Sequence, residues 1–353
     1  MTSTELLCLC RIGFEKEVAS ELADMAANIG VMGYVKASDS SGCASFVCSS
    51  FEDAQRLMES RTYDRLIFIR HWFLTFGLLK NLGTEDRATP LAAQLADMPA
   101  VKAIQPINFD TNDGKSLAGL AKSLSRHVTR VTEKQNKIRK NSPWLGQLLF
   151  VDGQSAYVGV TLEEHISAWD VGIPRLKVPR EAPSRATLKL EEAWHQFVPR
   201  KQWDERLAPS MTAVDLGAAP GGWTWQLVNK SMFVEAVDNG PMAESLMESG
   251  QVRHHVMDGF LYQPAKPVNW LVCDIADKPA RVASMIERWA LNRWFGEAVF
   301  NLKLPMKQRY RAVMEAQEKI EGSLKAAGIK HSLRFKQLYH DREEVTGHLR
   351  LFS

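Results

Sequence analysis

The chain of 353 residues is short of cysteine, of net charge and of long apolar runs, and each shortage removes a class of protein. Its five cysteines (Cys8, Cys10, Cys43, Cys48, Cys273) are odd in number, and no two stand in a C-x-x-C pair suited to zinc or dithiol chemistry. A reduced, cytoplasmic protein without a metal is expected. No stretch approaches 18 uninterrupted apolar residues, and residues 1–10 carry no basic segment ahead of an apolar core. Neither membrane insertion nor export is expected, and no feature calls for an obligate protein partner. A formal charge of only +3 means that any nucleic-acid surface must be a local concentration of cations. What remains is a chain with 45% hydrophobic residues, long enough for two or three domains with separate cores.

Residues 1–62 read as a small α+β subdomain, with strand-like runs at 6–10 and 44–48 and helical periodicity at 14–27 and 51–60. Residues 63–172 form a second α+β set: strands at 66–69, 72–74 and 103–108, and a helix at 90–98. Pro174, Pro179 and Pro183 make residues 173–184 an extended linker and the main boundary. Beyond it, over 185–353, helical patterns (185–197, 223–229, 279–294, 306–327) alternate with strand patterns (213–217, 232–238, 270–275, 298–304, 333–339, 344–351). That alternation predicts an α/β domain whose mostly parallel sheet carries helices on both faces.

The cations are concentrated in one place. Lys115, Lys122, Arg126, Arg130, Lys134, Lys137, Arg139 and Lys140 face a single acid, Glu133, within residues 115–140. Lys122, Arg126, Arg130 and Lys134 recur every four residues, while Leu117, Leu120, Leu124, Val128 and Val131 fall on roughly the opposite face of a helix. A run of charge is ordinarily a solvated face. Here the acids that normally interleave such a face are missing, so the helix is a candidate for holding RNA phosphates, which gives affinity but little sequence information.

Residues 214–224, Val-Asp-Leu-Gly-Ala-Ala-Pro-Gly-Gly-Trp-Thr, read as a buried strand that breaks into a glycine turn and then a helix. Gly217, Gly221 and Gly222 allow close backbone approach, and the new helix offers free N–H groups at the place where open α/β sheets hold nucleotide-like ligands. Asp238 ends the next strand about 20 residues on, where a carboxylate can accept two ribose hydroxyls; that spacing alone suits NAD as well. Asp258 stands where a third strand would end, within reach of an adenine amino group, and Asp274 closes a fourth. The turn is not G-x-G-x-x-G. It resembles the S-adenosylmethionine loop of Rossmann-like methyltransferases, which implies that Asp215, Gly217, Ala219, Pro220, Gly221, Gly222, Trp223, Asp238, Asp258 and Asp274 line a S-adenosyl-L-methionine site.

The acceptor is narrowed by two further absences. No Asn/Asp-Pro-Pro-aromatic tetrad follows the strand that ends at Asp274, as base-amino methylation would need, and Cys273 precedes Asp274 inside an apolar strand rather than following a proline as a nucleophile would. In their place Lys189, Asp274, Lys303 and Glu344 match in order the Lys-Asp-Lys-Glu tetrad of the FtsJ-like ribose 2'-O-methyltransferases, with Glu343 a neighbouring alternative to Glu344. Lys303 sits in the apolar run Phe300-Asn301-Leu302-Lys303-Leu304, where burial and a second lysine would lower its pKa and fit it as proton acceptor, although a lysine snorkelling from a strand end would look the same.

Residues 109–160 resemble the THUMP RNA-binding module. With residues 184–192, 237–242, 300–307 and 338–345 the whole chain is similar to a bacterial family of large-subunit rRNA 2'-O-ribose methyltransferases. That resemblance implies a seven-stranded Rossmann-like catalytic domain behind a THUMP-containing region, and methylation of a cytidine ribose in 23S rRNA near the peptidyl-transferase region. The rival readings are a dinucleotide oxidoreductase, which leaves Pro220 and the two lysines unexplained, a non-catalytic RNA-binding or assembly factor on the same fold, and a 2'-O-methyltransferase of another RNA.

Overall fold

The structure is a computed structural model that describes residues 4–352. The outermost ends of the expected domains, at residues 1–3 and 353, lie outside the described residues, as does the beginning of the opening segment read for an export signal. The chain divides into two compact units, one running to Ile173 and the other from Pro174.

The first unit contains, in order, β1 (Thr4–Leu9), α1 (Glu15–Ile29), β2 (Gly33–Ala37), β3 (Cys43–Cys48), α2 (Phe51–Glu59), β4 (His71–Thr75), α3 (Ala88–Ala96), β5 (Ile104–Ile107), α4 (Asn112–Lys134), β6 (Trp144–Asp152) and β7 (Ser155–Leu162). One seven-stranded sheet, in the order β2-β3-β1-β4-β7-β6-β5, runs through all of it, and only the β5–β6 pair is parallel. The strand expected at residues 66–69 is absent. Leu66, Ile67, Phe68 and Ile69 are all buried, but the amides of Ile67 and Phe68 donate to the carboxylate of the buried Glu21 on α1, at 2.7 and 2.9 Å. A side chain takes the place of a strand partner, so the apolar run marks burial and not a ladder.

Helix α4 begins where the Thr111 hydroxyl accepts from the Gly114 amide at 2.8 Å. Its buried stripe is Gly114, Ala121, Ser125, Val128 and Thr132. Of the apolar face expected from periodicity, only Val128 is fully buried; Leu117, Leu120, Leu124 and Val131 are half-buried. Small residues lead the face because α4 packs on α3, β5 and β6, and a larger side chain at its centre would hold it away from the sheet.

The second unit contains α5 (Thr187–Phe197), α6 (Trp203–Arg206), β8 (Thr212–Leu216), α7 (Gly222–Asn229), β9 (Phe233–Val237), α8 (Glu244–Met247), β10 (Val252–His255), β11 (Val268–Cys273), α9 (Pro279–Leu291), β12 (Phe295–Lys303), α10 (Arg309–Ala326), β13 (His331–Lys336) and β14 (Glu344–Leu351). Its seven strands lie in the order β10-β9-β8-β11-β12-β14-β13; the first five are parallel, and β14 is antiparallel to both β12 and β13. The α/β class with a mostly parallel sheet is therefore the observed one. Along β11 every residue from Trp270 to Cys273 is buried, which requires cover on both faces. Trp270 and Val272 pack with Trp194 and Phe197 of α5 and Trp223 and Leu227 of α7. Leu271 and Cys273 point to the other face, and α9 and α10 pack on each other and on β12 and β13. Among the described residues no helix is long and apolar enough to cross a membrane.

The strand order reverses between β8 and the central strand, β11. The carboxyl ends of strands at such a switch point diverge into a crevice, and open α/β sheets bind ligands there. Both the glycine turn after β8 and Asp274 after β11 fall at that edge.

Candidate active site

The glycine turn is held from several sides. Gly217 has φ +78 and Gly221 has φ +114, conformations that favour glycine. A Cβ at Gly217 would come within 2.9 Å of Ile275 Cγ1, and one at Gly221 would strike the Leu246 side chain. The glycines are thus already required by the protein's own packing, before any ligand approaches. The Ala219–Pro220 peptide is cis. Gly222 and Trp223 open α7, and the Trp223 indole N–H donates to Ala186 O at 3.0 Å, tying the turn to the approach to α5.

Asp215 is wholly buried on β8. Its Oδ2 accepts from the Thr224 hydroxyl at 2.6 Å, while Oδ1 has no hydrogen-bond partner among the described residues. Burial pushes its carboxyl up to about 7, against the opposing effect of the Thr224 hydrogen bond. Asp238 accepts from Ala219 N at 3.0 Å and from Gly240 N at 2.7 Å, so one carboxylate joins the glycine turn to the loop after β9. Each oxygen keeps a further lone pair for another donor. Asp258 is exposed in the loop after β10; its Oδ1 accepts from Phe260 N at 2.9 Å, and Oδ2 stands 4.0 Å from Arg281. Cys273 is fully buried, and burial pushes its thiol up to about 12, so it is inert packing.

Three members of the Lys-Asp-Lys-Glu set meet directly. Lys189 Nζ, from the first turn of α5, lies 3.3 and 3.4 Å from the two oxygens of Asp274 and 2.5 Å from Glu344 Oε2. Burial alone would pull the lysine pKa down, but the charges of Asp274 and Glu344 outweigh it and the net displacement is upward. Burial pushes the Asp274 carboxyl up, with Lys189 opposing. Two carboxylates around one partly buried ammonium favour the charged form of Lys189.

Lys303 is where the structure departs from expectation. It pairs with Glu344 across β12 and β14, so both side chains lie on one face of the sheet, yet Lys303 is exposed. Leu302 and Leu304, its apolar neighbours, belong to the alternate face, and Lys303 is the last residue of the strand. Of the two glutamates, Glu344 meets Lys189, whereas Glu343 is exposed and pairs with Arg309 at 2.6 Å.

Residues not singled out from the sequence complete the site. Asn301 Nδ2 donates to Asp274 Oδ1 at 2.7 Å, the Thr346 hydroxyl lies 2.8 Å from Asn301 Oδ1, and the same hydroxyl lies 2.9 Å from Asp341 Oδ2. The signal was present. Asn301 is two residues before Lys303 and Thr346 two after Glu344, so each shares the face of a tetrad member. In the first unit, Lys115, Lys122, Arg126, Arg130, Lys134, Arg139 and Lys140 are exposed; Lys137 is half-buried and donates to Met98 O at 2.9 Å, and Lys115 lies 3.5 Å from Asp110.

A seven-stranded, mostly parallel sheet with a closing antiparallel strand pair, and a glycine turn at its switch point, define a Rossmann-like methyltransferase fold. Residues 182–298 match the family described as FtsJ-like methyltransferase, and residues 3–73 the one described as RlmM ferredoxin-like domain. The chain is 57% identical to the ribosomal RNA large subunit methyltransferase M of Saccharophagus degradans, over 98% of this chain and 99% of that one. It is 56% identical to that of Teredinibacter turnerae (98% and 99%) and 49% identical to that of Cellvibrio japonicus (99% and 99%). The chain belongs to the ribosomal RNA large subunit methyltransferase M family.

Proposed function

We propose that this protein is an S-adenosylmethionine-dependent methyltransferase of large-subunit ribosomal RNA, acting in the cytoplasm on a ribose 2'-hydroxyl, which the family resemblance narrows to a cytidine of 23S rRNA. The observation that carries this reading is the cluster of Lys189, Asp274 and Glu344, with Lys303 beside Glu344, along the carboxyl edge from β11, the strand next to the glycine turn's, to β14. The names of the curated relatives support the ribosomal RNA part of it.

The donor site fits the residues present. Asp238 has lone pairs left for the ribose hydroxyls, and Asp258 is exposed and keeps lone pairs for an adenine amino group beside its contacts with Phe260 N and Arg281. The turn offers a close backbone, with the Gly217, Ala218 and Ala219 amides already held within the protein and those from Gly221 to Trp223 at the opening of α7. Bound there, S-adenosylmethionine supplies a methyl group already activated by its sulfonium. The chain's own residues then have two tasks. Lys189, fixed by two carboxylates, orients the acceptor hydroxyl, and Lys303 takes its proton. An exposed lysine covered by RNA loses water, which favours the neutral amine a base requires. Positioning of the acceptor supplies much of the remaining rate. The exposed cations of α4 hold RNA phosphates and place the substrate without reading its sequence.

Lys303→Ala is expected to lower labelled-methyl transfer to 23S rRNA by about 10²-fold or more while S-adenosylmethionine binding changes little. Turnover retained in the variant overturns the assignment of Lys303 as base. Mapping of ribose methylation in 23S rRNA with and without the protein tests the acceptor.

A further inference from the structure

The hydrogen bonds behind Asp274 do not balance unless a carboxyl group carries a proton. Asp341, Thr346, Asn301 and Asp274 form a chain with three contacts: Asp341 Oδ2 to Thr346 Oγ1 at 2.9 Å, Thr346 Oγ1 to Asn301 Oδ1 at 2.8 Å, and Asn301 Nδ2 to Asp274 Oδ1 at 2.7 Å. Thr346 has one hydroxyl hydrogen, and Asn301 donates from only one end of its amide. Two donors cannot serve three contacts. Exchanging the oxygen and nitrogen of the Asn301 amide does not remove the shortfall: Thr346 then donates to Asp341, Asn301 donates to Thr346, and the amide oxygen faces Asp274. In either arrangement one of the two aspartates supplies the third hydrogen.

We infer that Asp341 carries this proton, and that protonated Asp341, Thr346 and Asn301 are positioning residues that fix the orientation of Asp274 toward Lys189. Asp341 is 0% exposed, and its Oδ1 has no partner among the described residues, so an ionised carboxylate there would be poorly solvated. Burial and Glu344 push the Asp274 carboxyl up as well, but Asp274 is partly exposed and the Lys189 ammonium 3.3 Å away favours its carboxylate, whereas Asp341 has no cation within salt-bridge distance among the described residues. With the proton on Asp341 Oδ2, that oxygen donates to Thr346 and keeps a lone pair for the Leu338 amide at 2.9 Å. Thr346 donates to Asn301 Oδ1, and the Asn301 amide is held with its N–H toward Asp274. Burial pushes the Asp341 carboxyl well above its ordinary range; of the charges acting on it, Lys189 opposes this, while Glu344 and Glu192 reinforce it. Thr346 and Asn301 are themselves 0% and 2% exposed, so no water competes for the chain. The turn bearing Asp341 is pinned from outside as well, because the buried Glu192 of α5 accepts from the amides of Tyr339 and His340 at 2.7 and 2.9 Å.

The positioning role rests on the ribose-methylation reading, and the proton does not; the test keeps them apart. Infrared difference spectra at neutral pH, wild type against Asp341→Asn, are expected to show one protonated-carboxyl carbonyl band that the substitution removes. Thr346→Val, which keeps the carboxyl but takes away its acceptor, is expected to move that band to higher frequency. No acid band in either comparison overturns the inference, as does a band removed by Asp274→Asn in place of Asp341→Asn. For positioning, Thr346→Val is expected to lower kcat for methyl transfer about tenfold or more with KM for RNA nearly unchanged, and Thr346→Ser to restore it. Wild-type kcat in folded Thr346→Val overturns the relay. If the wild-type protein transfers no methyl group to ribose, the function reading fails while the infrared comparison still decides the proton.

Discussion

Asp215 presents a fully buried carboxyl with one donor, the Thr224 hydroxyl, and its pKa pushed up to about 7 sets a sign that can be measured. The ordinary value of 3.8 applies to the unfolded chain, so between the two values the folded protein binds the proton that the unfolded chain has lost. Stability from this group is fully present below about pH 4 and is lost as pH rises toward 7. Asp215→Asn removes the ionisation but keeps an oxygen for Thr224. Its stability relative to wild type, from urea unfolding, is expected to become more favourable by about 2 kcal/mol between pH 5 and pH 8. A difference that stays flat, or moves the other way, means that the carboxyl is not held protonated by burial. Because the group lies two residues before Gly217, where the glycine turn begins, the same ionisation bears on how firmly that turn is held.

The basic face of α4 makes its prediction as an element. Lys122, Arg126 and Arg130 stand exposed one turn apart, and among the described residues none makes an ion pair. If they meet phosphates, neutralising all three weakens RNA binding and reduces the slope of log affinity against log salt by about 2 to 3. An unchanged slope identifies a solvated face. Elements of this kind were legible because alternation and helical period are written into side-chain type: the positions of β8, α7, β9, β11 and β14 follow from apolar runs punctuated by Gly, Pro and Asp. What was not legible needed a partner distant in sequence. Residues 66–69 look like a strand, but the amides of Ile67 and Phe68 donate to Glu21, some 46 residues away in sequence. The buried stripe of α4 is led by Gly114, Ala121, Ser125 and Thr132 because close approach to a sheet favours small residues over the leucines that periodicity selects. At the site, order along the chain identified Lys189, Asp274 and Glu344, but the Asp341–Thr346–Asn301 chain depends on the β12–β14 register and on a turn. The exposure of Lys303 depends on where β12 ends.

Across the molecule, the two units are each built around a separate seven-stranded sheet, and among the described residues no strand passes from one sheet to the other. The second unit's core of Trp194, Trp270, Trp223 and their neighbours is drawn entirely from residue 186 onward, and the residues proposed to hold the methyl donor and the acceptor hydroxyl come from the same stretch. Between Ile173 and the start of α5 at Thr187 the chain has no helix or strand, and Arg175, Lys177 and Arg180 are exposed. A protease needs such a segment: exposed, without ladder hydrogen bonds, and able to adapt to the enzyme's cleft. Brief trypsin treatment is therefore expected to cut first between residues 175 and 180, leaving two resistant fragments. The C-terminal fragment should unfold cooperatively on heating and bind S-adenosylmethionine as the intact chain does, since every residue assigned to that site lies within it. It should lose the salt-dependent part of RNA affinity, because all eight cations of residues 115–140 go with the other fragment. Mass spectrometry of the fragments, calorimetry with S-adenosylmethionine and RNA binding at two salt concentrations check the three parts separately. Rapid digestion of the C-terminal fragment would mean that its fold depends on the first unit, and undiminished RNA affinity would move the RNA-holding surface from α4 to the catalytic unit.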